Sequence, residues 1–175
     1  MQAYHYTVQE HLESILSDQM IMPAIGGVPN GETPVVWFST QPIWEPTASK
    51  MLKYMGKISY LTTPQMFELF AGQLVRLGIS THHLLSWVPL TKAAHISRKE
   101  QRRLLKTAKK MGADHMRWYG HLQPVLVHRV TIENWVPENR CWDLDGSRTG
   151  SGRDSNGNTG VAANQSVIDT RERNQ

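Results

Sequence analysis

Short segments with strand-like alternation occur in turn with segments of helical periodicity along this chain. The pattern has no internal repeat, and no linker interrupts it. Such an order is typical of one domain that mixes helices and strands, so we predict an α+β fold. The predicted strands are Ala3–Thr7, Val35–Thr40, Gln73–Ser80 and Pro124–Ile132, and the predicted helices begin at Thr7, Pro46, Thr63 and Ser97 and end near Asp18, Gly56, Gly72 and Met111.

The C-terminal end differs in composition from the rest of the chain. From Asp143 to Gln175 there is no aromatic residue, and Gly, Ser, Asn, Thr and Arg dominate. Such a segment buries too little apolar surface to offset the entropy lost on ordering it. We therefore predict one domain over residues 1–142, followed by a disordered polar tail over 143–175. The domain is mildly basic, which is compatible with an anionic ligand or a nucleic acid.

Cysteine usage and hydropathy predict a cytoplasmic protein. Cys141 is the single cysteine, so no internal disulfide can form. The segment Met1–Thr7 lacks the basic start and apolar run of a signal peptide. No apolar stretch approaches the roughly 20 residues that cross a bilayer, so no membrane partner is expected. The histidines lack HExxH or Cys-His spacing, and no metal site is predicted.

The first site signal lies in the first predicted strand. His5 and Thr7 are two residues apart, so their side chains point to the same face of a sheet. An imidazole can donate a hydrogen bond to a ribose hydroxyl, and the Thr7 hydroxyl can serve a ligand or cap the helix that follows. The alternative is that His5 packs as an ordinary half-buried residue and that Thr7 is only a cap.

The surrounding motifs indicate a family. Tyr4-His5-Tyr6-Thr7, the Ile15-Leu16 pair and Val35-Val36-Trp37-Phe38-Ser39 follow one another along the chain. This order resembles the opening of the ADP-ribosyltransferase fold, in its diphtheria-toxin-like and poly-ADP-ribose-polymerase-like branch. The resemblance implies a split mixed or antiparallel sheet flanked by helices, with NAD as a substrate.

The resemblance also implies roles for residues of the first strand. His5 would bind a ribose hydroxyl of NAD, and backbone groups of Tyr6 would pair with the nicotinamide amide. Thr7 would lie beside them in the NAD site. The site requires that the His5 imidazole and the Trp37 indole face each other across a cleft sized for a dinucleotide.

Further residues of the implied NAD site follow the second strand. Trp37 would form a wall against the nicotinamide, and Ser39 would support the turn after the strand. Thr47 would contact the nicotinamide carboxamide, although it stands two residues out of step with the family pattern. Arg76 would meet a phosphate of NAD; its alternative is a pairing with a neighbouring acid.

The catalytic acid is where this chain departs from the family. The family places a Glu just before a late strand, and here that position is Gln123. Either Gln123 serves in a variant chemistry, or Glu45 or Glu133 stabilises the positive charge that develops on the ribose. The implied activity is transfer of ADP-ribose from NAD to a macromolecule, protein or nucleic acid, with release of nicotinamide. Binding of NAD or another nucleotide without turnover is a further possibility.

Two other functions remain open. The tripeptides His5-Tyr6-Thr7 and His95-Ile96-Ser97 are similar to the paired motifs of two-histidine phosphoesterases, in which two imidazoles act as general acid and base. Ser97, however, is expected to cap a helix rather than to lie in a strand. The helix Arg98–Lys110 has seven Lys or Arg residues and one acid, which suits a nucleic-acid-binding module without catalysis.

Overall fold

The computed structural model describes residues 1–54 and 57–144. None of the helices in these two ranges is long and apolar enough to cross a membrane. The strands are β1 (Gln2–Val8), β2 (Met20–Ile21), β3 (Val36–Ser39), β4 (Met51–Tyr54), β5 (Lys57–Tyr60), β6 (Leu74–Ser80), β7 (Leu85–Ser86), β8 (Trp118–His121), β9 (Val125–Leu126), β10 (Thr131–Val136) and β11 (Cys141–Leu144). The α-helices are α1 (Gln9–Asp18), α2 (Thr63–Leu69), α3 (Trp87–Ala93) and α4 (Arg98–Met111).

Seven strands form one antiparallel sheet in the order β11-β10-β6-β1-β3-β8-β7. The strands β2 and β9 form a separate two-stranded ribbon, and β4 and β5 form another. The predicted mixed α+β fold with a large antiparallel sheet is therefore confirmed.

The two faces of the sheet bury different side chains. On one, which we call the core face, Ala3, Phe38 and Leu77 pack with Leu12 of α1 in an aliphatic cluster. On the other, the aromatic face, Tyr6 packs with Trp44, Trp135 and Met66 of α2, and Trp118 packs with Trp87 and Ala108 of α4. Alternate residues of a strand point to opposite faces, so β1 contributes Ala3, His5 and Thr7 to the core face and Tyr4, Tyr6 and Val8 to the aromatic face.

The sheet opens between β1 and β3. Within the described residues, the pairing of these strands comprises one position, Tyr4 opposite Ser39. Beyond it β1 continues to Val8, paired with β6 on its other edge. On its far side β3 pairs with β8 along its whole length. The gap between β1 and β3 lies next to the site described below.

Local sequence signals located some elements correctly. Ser97 caps α4 by accepting a hydrogen bond from the amide of Glu100 at 3.2 Å, and Gly112 ends the helix with a φ of 73°. The helix α2 begins at the predicted Thr63. The strand β6 matches the prediction to within one residue.

The helix predicted from Pro46 to Gly56 is wrong. Pro46–Ala48 forms a single 3₁₀ turn, and the chain continues as β4, which pairs with β5. Leu52 packs against the aromatic cluster from this ribbon. The apolar residues of the segment suit a helical face, but pairing with a second strand overrides that weak local preference. Met55 and Gly56 lie outside the described residues.

Two further boundaries differ. The predicted strand Pro124–Ile132 is interrupted, because a 3₁₀ turn at Val127–Arg129 separates β9 from β10. Thr7 does not cap α1, because it is buried within β1 and the helix begins two residues later without a side-chain cap. The predicted tail lies outside the described residues from 145 onward. Its first two residues, Asp143 and Leu144, belong to β11.

Candidate active site between the aromatic face and helix α4

A cavity of about 380 Å³ lies between the aromatic face of the sheet and α4. Its volume is within the range of small-molecule sites. Six residues predicted from the sequence line it: His5, Tyr6, Trp37, Ser39, Glu45 and Thr47. They come from β1, β3 and the 3₁₀ turn after β3, and the fold brings these three segments to the gap between β1 and β3.

His5 and Trp37 both line the cavity, but their rings do not face each other. Tyr4 lies opposite Ser39, so the register sets His5 beside Phe38 on the core face and Trp37 on the aromatic face. The His5 ring contacts Phe38, with centroids 5.9 Å apart, and Nδ1 of His5 is 2.9 Å from the carbonyl oxygen of Trp37. The expected facing pair is therefore wrong. The imidazole instead contacts the Trp37 backbone across the gap.

Glu45 is a buried carboxylate beside the cavity. Its Oε2 accepts a hydrogen bond from the Ser39 hydroxyl at 2.7 Å, and its Oε1 accepts one from the Thr47 hydroxyl at 2.7 Å. The Thr47 amide also donates to Oε1, at 3.3 Å, so Glu45 caps the 3₁₀ turn as well. The Ser39 oxygen accepts from the amide of Gln41, which fixes the turn after β3. Three residues predicted separately thus form one hydrogen-bonded group with a buried negative charge.

Tyr6 belongs to the cavity wall through its ring. The ring packs against Trp44 with centroids 5.0 Å apart, and the hydroxyl donates to the carbonyl oxygen of Gln41. Burial raises the pKa of the Tyr6 hydroxyl far above its ordinary value, although the positive charge of Arg76 opposes that rise. The phenol is therefore a neutral hydrogen-bond donor and not a proton acceptor at neutral pH.

Arg76 does not line the cavity. Its Nε donates to Glu133 at 2.8 Å, and a second guanidinium nitrogen donates to the Pro42 carbonyl. The guanidinium carbon lies 3.9 Å from the ring centre of Tyr4 and 4.8 Å from that of Trp142. The structure therefore supports the alternative role of Arg76, a pairing with a neighbouring acid. That acid is Glu133, so both side chains are occupied by this ion pair.

The fold also leaves Gln123 and Thr7 away from the described cavity wall. Gln123 is exposed in the loop after β8, where its backbone contacts the His121 ring. That loop follows the residue opposite Val36, at the far end of β3 from Ser39. Thr7 is buried on the core face. Of the predicted acids, only Glu45 borders the cavity.

Several lining residues are not among the site residues assigned from the sequence. They are Tyr4, Phe38, Ala48, Tyr60, Arg103, Leu104, Thr107 and Trp118. Trp118 lines the cavity because it lies opposite Ser39 in the β3–β8 pair. Its ring contacts that of Trp37, with centroids 6.1 Å apart. Its indole nitrogen is buried and has no hydrogen-bond partner among the described residues. The strand order, and not its position before Gln123 in the sequence, brings Trp118 to the cavity.

The second histidine of the phosphoesterase hypothesis lies elsewhere. His95 is exposed in the turn between α3 and α4, and it is not among the described residues that line the cavity with His5. Ile96 after it is buried, and Ser97 is the cap of α4, as the sequence suggested. Across 1–54 and 57–144, no group of three or more His, Cys, Asp or Glu side chains could bind a metal.

A scan against protein-family models, a search of curated proteins and a search of solved structures give no significant match. The site must be interpreted from its own chemistry.

Its chemistry combines aromatic walls with one buried carboxylate. Trp37 and Trp118 offer apolar surface to a flat ring, and a carboxylate in a partly dry site stabilises a nearby positive charge more than it would in water. Arg103 lies at the helical side of the cavity, where its Nε donates to Glu100 at 2.8 Å. This hydrogen bond lowers the pKa of Glu100 and raises that of Arg103, so both are charged.

Proposed function

We propose that the chain is an ADP-ribosyltransferase that uses NAD as substrate and a macromolecule, protein or nucleic acid, as acceptor. The proposal no longer rests on a facing pair of His5 and Trp37. The observation that carries it is one cavity lined by Trp37, Ser39 and Thr47, which the family resemblance implies, together with the buried acid Glu45.

In the proposed reaction the bond between the nicotinamide nitrogen and ribose C1′ breaks. Nicotinamide leaves with the bonding electron pair, and an acceptor nucleophile forms a new bond to C1′ and gives up its proton. Positive charge develops on the ribose before the new bond is complete. A buried carboxylate beside that centre lowers the energy of the transition state.

The buried position of Glu45 favours it over Gln123 as the charge-stabilising group. A neutral amide stabilises a cation less than a carboxylate does, and Gln123 lies beyond the other end of β3. Ser39 and Thr47 fix the Glu45 carboxylate, so it needs little reorganisation during the reaction. Trp37 is the proposed wall for the nicotinamide.

The role of His5 changes with its observed place. Because its Nδ1 is within hydrogen-bonding distance of the Trp37 carbonyl, the imidazole fixes the strand that carries the proposed wall. We assign it a positioning role at the gap between β1 and β3, rather than a role opposite the indole.

The test measures nicotinamide release and transfer of label. The protein is incubated with NAD labelled on the adenylate and with cell lysate, and label is followed into protein and into nucleic acid. Wild type should release nicotinamide and transfer label. Glu45→Gln should bind NAD but lose about 10²- to 10³-fold in release, as is typical for removal of one charge-stabilising group.

The matched control is Glu68→Gln, the same change at an exposed position of α2. It should release nicotinamide at the wild-type rate. Circular dichroism of both variants checks that they fold. If Glu45→Gln retained full activity, the assignment of Glu45 would be wrong.

A second candidate is an NAD- or nucleotide-binding module without turnover. Glu45 accepts three hydrogen bonds in this structure, an arrangement that also suits a purely structural carboxylate. Calorimetric binding of NAD by wild type, with no nicotinamide released for any acceptor, would favour this candidate.

A further inference from the structure

The outer surface of α4 is strongly basic. All seven of its Lys and Arg residues are exposed: Arg98, Lys99, Arg102, Arg103, Lys106, Lys109 and Lys110. At 100° per residue they fall within an arc of about 140° on the helix. The opposite arc has Leu104, Leu105 and Ala108, which pack against Trp87 and Trp118. The basic residues therefore form one continuous surface, the α4 basic face.

Few acids neutralise this face. Within the described residues, the only ion pair of these seven side chains is that of Arg103 with Glu100. The other six have no ion pair with any acid in that part of the chain. A linear row of uncompensated charges raises the local concentration of a polyanion and speeds its association.

The α4 basic face borders the candidate active site. Arg103 is at the edge of the basic arc, and it lines the cavity with its helical neighbours Leu104 and Thr107. Tyr60 of β5 also lines the cavity and is 44 % exposed. The fold thus sets an exposed aromatic ring beside the basic helix, although no aromatic residue interleaves the charges in the sequence.

We propose that the α4 basic face binds the phosphate backbone of a single-stranded nucleic acid and directs one of its nucleotides to the cavity, which makes nucleic acid the acceptor. This inference rests on the proposed function for the transfer step only. Successive turns of α4 place charges about 6 Å apart along one line, a pattern that suits a strand with one charge per nucleotide. Tyr60 is positioned to stack on a base at the cavity rim.

Binding is tested with a fluorescent single-stranded DNA 20-mer of mixed sequence, by anisotropy over a series of KCl concentrations. The variant R102Q/K106Q/K109Q changes three exposed residues of the α4 basic face that do not line the cavity. Its affinity should fall about tenfold or more at low salt. The slope of log K against log salt should drop by about 2, since each phosphate that is no longer neutralised reduces it by roughly 0.7.

The matched control is K92Q/R129Q/R140Q, which removes three exposed charges outside α4. It should keep the wild-type slope. A second variant, Tyr60→Leu, should weaken binding by about tenfold with an unchanged slope, because a stacking contact has no counterion to release. Equal weakening by both triple variants, or wild-type binding by the α4 variant, would overturn the proposal.

The same protein is then given labelled NAD and the 20-mer. Label on the DNA supports both proposals. Binding on α4 without any nicotinamide release would support the docking surface and count against the transferase. Nicotinamide release with no label on the 20-mer, and with label only on protein when untreated lysate is added, would overturn nucleic acid as the acceptor and leave the transferase standing.

Discussion

The two faces of the central sheet are formed by the same strands but differ in their packing and in their polar groups. On the core face, aliphatic side chains such as Leu77 and Ile79 interdigitate with α1. On the aromatic face, rings meet edge to face, as in the contacts of Trp118 with Trp37 and Trp87. Polar groups are also distributed unequally, because the aromatic face has the Arg76–Glu133 pair and the Ser39–Glu45 group.

This difference indicates that the core face mainly stabilises the fold and that the aromatic face forms the candidate site. Branched aliphatic chains fill space closely, and those of the core face pack together with Leu12 of α1. Large rings with fixed edges leave flat walls, and the aromatic face has the cavity between it and α4. His5 and Phe38 both lie on the core face and also line the cavity, at the gap in the sheet.

The largest effect on stability is expected on the aromatic face, from Arg76→Ala. The change leaves the Glu133 carboxylate without its partner, and it uncovers the rings of Tyr4 and Trp142. Breaking a buried pair from one side costs about 3–5 kcal/mol. Urea unfolding at neutral pH measures the loss, and Arg140→Ala, at an exposed position, is the control. A loss under about 1 kcal/mol would show that this pair is dispensable.

The next effect is expected on the core face, from Leu77→Ala. Leu77 neighbours Arg76 in β6 but is fully buried under α1. Truncating a buried leucine costs about 2–5 kcal/mol through lost burial and the cavity left behind. At a temperature where the variant is folded, its affinity for NAD should equal that of wild type by calorimetry. A large loss of affinity would contradict the separation of the two faces.

The elements that the sequence predicted correctly depend on local signals. The helix α4 has its cap Ser97, its stop Gly112 and a strong apolar stripe, and none of these needs information from elsewhere. The strand β6 has Val75, Leu77 and Ile79 at alternate positions, a spacing that is visible in the sequence alone. The ribbon β4–β5 was missed because two short strands stabilise each other only when paired, and neither has a strong pattern alone.

The site residues that lie close together in the sequence could be predicted from it. Trp37, Ser39, Glu45 and Thr47 lie within eleven consecutive residues, so their closeness in space follows largely from their closeness in sequence. The partners from other elements depended on strand order, as with Trp118 opposite Ser39. The prediction that His5 and Trp37 face each other was wrong for a related reason. The register between β1 and β3 determines which face of the sheet each side chain lies on, and a shift of one residue would move a side chain to the opposite face.

The smallest expected effect concerns Tyr6 on the aromatic face. Tyr6→Phe removes the hydrogen bond to the Gln41 carbonyl and should cost about 1 kcal/mol at pH 8. Because burial raises the Tyr6 pKa in the folded state, the wild-type phenol keeps its proton when the unfolded chain begins to lose it, near pH 10. Wild type therefore loses stability as the pH rises above about 10, and this contribution is fully present only below that value.

The phenylalanine variant lacks this titration, so the two proteins should converge at alkaline pH. Above about pH 10, the wild-type advantage should shrink by up to 1.4 kcal/mol per pH unit. Guanidinium unfolding of both proteins at pH 8, 9, 10 and 11 gives the difference directly, and the other tyrosines and the lysines cancel in it. Parallel curves over this range would mean that the Tyr6 hydroxyl reaches solvent, and the aromatic face would then be less closed around β1 than its packing against Trp44 indicates.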